Sequence, residues 1–108
     1  WIVIKYQRIY FGRNKLKIEI VGLSSNGSKV IKGYSIFKYV ESKGVPLELI
    51  LDSIKDDYVV DWIGYLDTAL MHNWKLNNTL LSIEFSIKEI YGEEYSNIII
   101  ERLRKIFS

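Results

Sequence analysis

The chain has 108 residues, of which 48% are hydrophobic and 26% charged, with no cysteine, one histidine and a single glutamine. This composition is typical of one globular domain, and the absence of cysteine excludes disulfides, thiolate metal ligands and cysteine nucleophiles. No apolar run reaches the roughly 18 residues that a membrane span needs, and a chain without disulfides is expected in the cytoplasm. Scarce glutamine and absent cysteine are also compatible with a thermophilic source.

The two halves of the chain carry opposite charge. Residues 1–38 contain eight basic residues and one acidic residue, whereas residues 39–108 contain seven basic and twelve acidic residues. The overall charge of +2 therefore hides a net +7 followed by a net −5. Such an asymmetry indicates a surface that binds a polyanion or a partner of opposite charge.

The first third of the chain is predicted to form strands. Residues 1–11 are rich in β-branched and aromatic side chains, and residues 16–20 alternate between apolar and charged. Asn26-Gly27 is a strong hairpin signal, because both turn positions favour residues that accept positive φ. A third strand is predicted from Lys29 to about Tyr34.

Hydrophobic periodicity predicts helices in the remainder of the chain. They cover residues 36–43, 46–56, about 59–70, 79–91 and from about 94 onward. The predicted buried stripe of the second helix is Leu47, Ile50, Leu51 and Ile54, and that of the fifth is Ile98, Ile99, Leu103 and Ile106. Ser35 is predicted to cap the first helix and Gly44 to end it in the left-handed conformation. Either Asp57 or Asp61 is predicted to cap the third helix.

Strands followed by helices indicate an α+β fold. We expect an N-terminal three-stranded antiparallel β-meander packed against four to five C-terminal helices. The meander (1–34) is basic and the helical part (35–108) acidic. Because neither part is large enough to be stable alone, the prediction is a single domain, 1–108, with one shared core.

One face of the predicted meander combines cations with aromatic rings. If the first turn has two or four residues, these cations and rings lie on the face opposite the core. The four-residue turn pairs Arg8 with Glu19 and Tyr10 with Lys17. Cations neutralise phosphates and rings stack on bases, so this face predicts binding of single-stranded RNA or DNA. The predicted nucleic-acid-binding residues are Tyr6, Arg8, Tyr10, Lys17, Lys32 and Tyr34.

Two alternatives remain open at this point. Tyr and Lys are ordinary residues on the solvated face of an antiparallel sheet, and a one-residue register slip would disperse the cluster. Alternatively, the protein is an adaptor or an oligomeric subunit, such as a homodimer, because several apolar residues lie off the main stripes of their helices. The predicted interface residues are Tyr65, Trp74 and Phe85.

Catalysis finds little support in the sequence. His72 is the only histidine, so zinc sites and Cys/His nucleophilic sites are excluded. Neither a Gly-rich nucleotide loop nor a Gly-x-Ser-x-Gly elbow occurs. The sequence therefore predicts a non-enzymatic binding protein with no cofactor and no metal.

Overall fold

The computed structural model describes the backbone of residues 5–11 and 14–107 and the side chains of residues 18–107. Four strands form one sheet in the order β1-β2-β3-β4. They are β1 (Lys5–Phe11), β2 (Asn14–Leu23), β3 (Lys29–Ile31) and β4 (Tyr58–Val60). The first three strands pair antiparallel, which confirms the predicted meander, and β4 adds to β3 in parallel.

Five helices account for most of the remaining chain. They are α1 (Gly33–Lys43), α2 (Leu47–Ile54), α3 (Trp62–Met71), α4 (Leu76–Tyr91) and α5 (Glu93–Phe107). The predicted α+β class is therefore confirmed, with the helices following the meander. In the part of the chain that the structure describes, every helix is too short or too polar to cross a membrane.

Strand β4 lies where the sequence predicted the start of a helix. Its three residues are aromatic or β-branched, which favours a strand, and they pair with β3 from Tyr58 opposite Lys29 to Val60 opposite Ile31. The third helix consequently begins at Trp62, and Asp61 caps it: the Gly64 N–H donates to Asp61 Oδ1 at 3.0 Å.

The start of α1 also differs from the prediction. The helix begins at Gly33, so Ser35 is an internal residue and not its cap. The Ser35 hydroxyl instead accepts a hydrogen bond of 2.9 Å from the Glu19 N–H of β2. Tyr34 consequently lies in a helix and not on the third strand. The predicted end is confirmed, since Gly44 adopts the left-handed conformation with φ of 66°.

One hydrophobic core joins the sheet to the helices. Ile18, Ile20 and Ile31 supply the sheet side of this core. The helix side includes the predicted stripe of α2, all of it buried: Leu47, Ile50, Leu51 and Ile54. The core therefore draws on both the basic and the acidic part of the chain.

The predicted stripe of α5 was partly wrong. Ile98 and Ile106 are exposed, whereas Ser96, Ile100 and Leu103 are buried. The reason is a close approach between α4 and α5, in which the Ser96 hydroxyl donates to the Glu84 carbonyl at 3.1 Å. This contact turns a small polar residue, which hydrophobicity alone ignores, toward the neighbouring helix.

Candidate nucleic-acid interface

The pairing of β1 with β2 sets the composition of the predicted binding face. The rungs on this face are Tyr6–Glu19, Arg8–Lys17 and Tyr10–Lys15. The predicted pairs Arg8–Glu19 and Tyr10–Lys17 were wrong, because two residues connect the strands and not four. The observed register differs from the predicted one by two residues. Because side chains alternate with period two, a shift of two leaves every side chain on the same face of the sheet. The predicted division into two faces is therefore retained.

Strand β2 extends well beyond its contact with β3. Residues 20–23 of β2 pair with β3, whereas residues 14–18 pair with β1 alone among the described strands. Residues 14–17 of β2 therefore have β1 as their only described strand partner, and Ile18, next to them, is fully buried. We call residues 8–11 and 14–17 the β-arm. Its four rungs give a length of about 14 Å at roughly 3.4 Å per residue.

The β-arm and its turn are purely basic. Residues 8–17 contain no Asp or Glu and four cations, Arg8, Arg13, Lys15 and Lys17, of which Arg13 lies outside the described residues. The register sets Arg8 directly opposite Lys17. Like charges at opposed positions destabilise a strand pair. The repulsion between these two cations therefore reduces the stability of the arm. An anion bound beside this rung would relieve that repulsion.

Glu19, the sole acid of residues 1–38, is engaged at the base of the β-arm. Its Oε2 lies 3.4 Å from the Nζ of Lys32, and its carbonyl oxygen accepts a 2.8 Å hydrogen bond from the Lys32 N–H. This position is beside the N-terminus of α1, where a negative charge is favoured. Glu19 therefore compensates Lys32, one of the predicted phosphate ligands, at the base of the arm.

The structure separates the six predicted binding residues. Tyr6, Arg8, Tyr10 and Lys17 share a face by register, although their side chains lie outside the described residues. Tyr34 is 47% exposed but belongs to the first turn of α1, so it adds no ring to the sheet.

Lys15 joins the binding face, whereas a four-residue turn would have placed it in the connection between the strands. It stands opposite Tyr10 on the same side of the ribbon as Arg8 and Lys17. The sequence allowed a turn of two or of four residues, and the two-residue turn places Lys15 on the binding face.

The rest of this face is aliphatic. Val21, Val30 and Val59 alternate along their strands with the core-facing residues Ile20, Ile31 and Val60, and all three valines are half-buried. Val30 and Val59 are direct partners in the parallel pairing of β3 with β4. The described part of the sheet therefore offers valines and Glu19 beside the arm.

The predicted protein interface is corrected at Tyr65. This residue is 1% exposed and contacts Phe37 and Trp62 edge to face, with ring centroids 5.6 and 5.5 Å apart. It is buried because α3 packs this side of the helix against α1. Burial raises the pKa of the Tyr65 phenol well above its ordinary value. Its hydroxyl finds no hydrogen-bond partner within the described structure.

The other two predicted interface residues differ from each other. Trp74 is half-buried and packs on Phe37, with ring centroids 4.8 Å apart. Phe85 is 56% exposed on α4, as is Leu81 one turn earlier. An exposed apolar pair therefore remains at the outer face of α4, and the aromatic part of the predicted interface is reduced mainly to Phe85.

The remaining polar features are structural. The His72 Nδ1 lies 2.9 Å from the Thr68 carbonyl oxygen at the end of α3. A cleft of about 280 Å³ runs beside Trp74 and Lys75. Within residues 18–107, no three His, Asp or Glu side chains lie close enough together to hold a metal ion.

No protein-family model, curated protein or solved structure matches this chain significantly. A function for the protein therefore has to be inferred from the geometry and charge described above.

Proposed function

We propose that this chain is a non-enzymatic, cytoplasmic nucleic-acid-binding protein that contacts the phosphate backbone with its β-arm. The observation that supports the proposal is the rung on which Arg8 is opposed to Lys17, within a segment that has four cations and no carboxylate. A phosphate beside this rung would neutralise the repulsion and release condensed counterions, which drives association.

The charge distribution favours binding at one end of the molecule. Residues 39–108 carry a net charge of −5, so this part of the chain repels phosphates. Tyr6 and Tyr10 flank Arg8 on the same face of β1, and aromatic residues beside cations add sequence-tolerant contacts to bases. We expect affinity with little sequence preference, since phosphate contacts position a protein without reading bases.

Charge reversal on the β-arm tests the proposal. Fluorescence anisotropy of labelled oligonucleotides is measured with the wild type, with Lys17→Glu and with the control Lys75→Glu. Lys75 is exposed at the N-terminal cap position of α4, where an acid is favoured, and both variants change the net charge equally. We expect Lys17→Glu to weaken binding by about tenfold or more at low salt, and Lys75→Glu to change it little.

Two outcomes contradict the proposal. The first is that the wild type does not bind the oligonucleotides at about 50 mM salt, where electrostatic binding is strong. Alternatively, both variants lose affinity equally, which would mean that net charge and not the arm controls binding.

A second function, docking of another protein or a second copy of the chain, is favoured by the exposed pair Leu81 and Phe85. Adjacent apolar side chains on a surface helix are typical of interaction sites. Sedimentation velocity over a range of concentrations tests this candidate with the wild type and Phe85→Ser. An oligomer that dissociates in Phe85→Ser supports docking, and a monomer throughout excludes self-association by this face.

A further inference from the structure

We infer that the nucleic acid is duplex DNA and that the β-arm enters its major groove. This inference rests on the proposed function and specifies its substrate class. It differs from the single-stranded target that the sequence favoured, and the difference comes from strand order, register and the composition of the neighbouring sheet.

The dimensions of the β-arm fit one groove. Two paired strands lie about 4.8 Å apart, and four rungs extend for about 14 Å. The major groove of B-DNA is about 12 Å wide and about 8.5 Å deep and admits a two-stranded ribbon. The minor groove is about 6 Å wide and would have to be widened, at a cost in deformation energy, to admit the same ribbon. The major groove of duplex RNA is too deep and narrow for side chains to read.

The cations stand on both strands of the β-arm. β1 contributes Arg8, and β2 contributes Lys15 and Lys17. The major groove is bordered by two phosphate backbones, so a ribbon with cations on each of its strands suits it. A single nucleic-acid strand would present one backbone to such an arm.

The surroundings of the β-arm disfavour a single strand. Stacking of successive bases needs aromatic rings along a continuous surface. Beside the arm, the described positions are Glu19, Val21, Val30 and Val59, and Tyr34 lies on α1. A single strand continuing from the arm across the sheet would meet a carboxylate and aliphatic side chains.

Competition experiments test this inference. A labelled DNA duplex of about two helical turns, roughly 20 base pairs, is displaced from the wild-type protein by unlabelled duplex DNA, single-stranded DNA or duplex RNA of equal length. We expect duplex DNA to compete at least about tenfold better than either alternative at equal phosphate concentration. DNA with glucosylated hydroxymethylcytosine, which fills the major groove, should bind more weakly, whereas netropsin in the minor groove should not displace the protein.

The outcomes separate the inference from the proposed function. If single-stranded DNA or duplex RNA competes as well as duplex DNA, the duplex inference is overturned and nucleic-acid binding stands. If netropsin displaces the protein or glucosylation has no effect, entry into the major groove is overturned. If no nucleic acid binds at low salt, both fail. Lys17→Glu is compared with the wild type to show that duplex binding depends on the β-arm. It should weaken duplex binding while its far-UV circular dichroism spectrum remains that of the folded protein.

Discussion

Gly33 is the point of closest approach between α1 and the start of α3. A Cβ atom at this position would lie 2.0 Å from the Tyr65 backbone nitrogen and 2.5 Å from the Asp61 carbonyl oxygen. Backbone atoms cannot move aside as a flexible side chain can. We therefore expect Gly33→Ala to lower the free energy of unfolding by more than about 2 kcal/mol, measured by urea denaturation.

Gly44→Ala provides the matched control for this prediction. Gly44 has a φ of 66°, and a Cβ atom added there would meet no other atom within 4 Å. Alanine there should cost only the strain of the left-handed conformation, about 1 kcal/mol. Equal losses in the two variants would contradict the steric role of Gly33.

The opposed cations of the β-arm give a second prediction at the residue scale. Lys17→Glu converts the Arg8–Lys17 rung into a pair of opposite charges. We expect the free energy of unfolding to rise by about 0.2–1 kcal/mol while nucleic-acid binding weakens. Thermal melts and anisotropy on the same samples measure both effects. A loss of stability in Lys17→Glu would argue against this register.

At the scale of the element, Asp61 connects β4 to α3. Its carboxylate accepts the Gly64 N–H at 3.0 Å, and its own N–H donates to the Ile31 carbonyl at 2.9 Å. Asp61→Ala should lower the free energy of unfolding by about 1 kcal/mol, because the helix loses its cap. Asp61→Asn keeps an acceptor oxygen and should lose much less. Denaturation of both variants measures the difference, and equal losses would mean that the cap contributes nothing.

The sequence predicted those elements whose signal is local. The stripe of α2 and the left-handed Gly44 followed directly from spacing and backbone chemistry. Strand β4 was missed, because three residues are too few to show a period and their pairing with β3 is a tertiary contact. Tyr65 was placed outward because the close packing of α1 on α3 through Gly33 cannot be read from either helix alone.

The binding face was only partly predictable. The division of the β1 and β2 side chains between two faces followed from their alternation, and a register shift of two residues preserves it. The offset itself depends on the turn, for which two lengths fitted the sequence. Strand lengths decided the rest: β3 is short, so part of β2 extends beyond it, and no pattern in the sequence indicated that extension.

At the scale of the whole molecule, we expect the stability of the fold to fall at alkaline pH because of two tyrosines at the junction of α4 and α5. Burial, together with the nearby Tyr95 and Asp56, raises the pKa of Tyr91 to about 12 from an ordinary value of 10.0. The pKa of Tyr95 is also raised, mainly by burial. The folded state thus keeps these phenols neutral where the unfolded chain would ionise them.

The sign of the pH dependence follows from this difference. The contribution to stability is complete below about pH 10 and is lost as the pH rises toward about 12. Melting temperatures measured across this range should fall, and Tyr91→Phe should fall less steeply than the wild type. Identical alkaline profiles for the two proteins would contradict the role of Tyr91.

The charge split has a spatial meaning in the folded chain. Arg8, Lys15 and Lys17 lie on the two-stranded arm, whereas residues 39–108 carry the net negative charge. The number of phosphates that this arm neutralises can be measured, since each phosphate contact contributes to the salt dependence of binding.

The most direct test is the slope of log K against log salt concentration for duplex DNA, compared between the wild type and Arg8→Ala. The three cations on the arm, Arg8, Lys15 and Lys17, predict a slope of about −2.7, and removal of one predicts about −1.8. Lys75→Ala, a cation of the helical part, should retain the wild-type slope. A wild-type slope near zero, or the same slope in Arg8→Ala as in the wild type, would contradict binding by the β-arm.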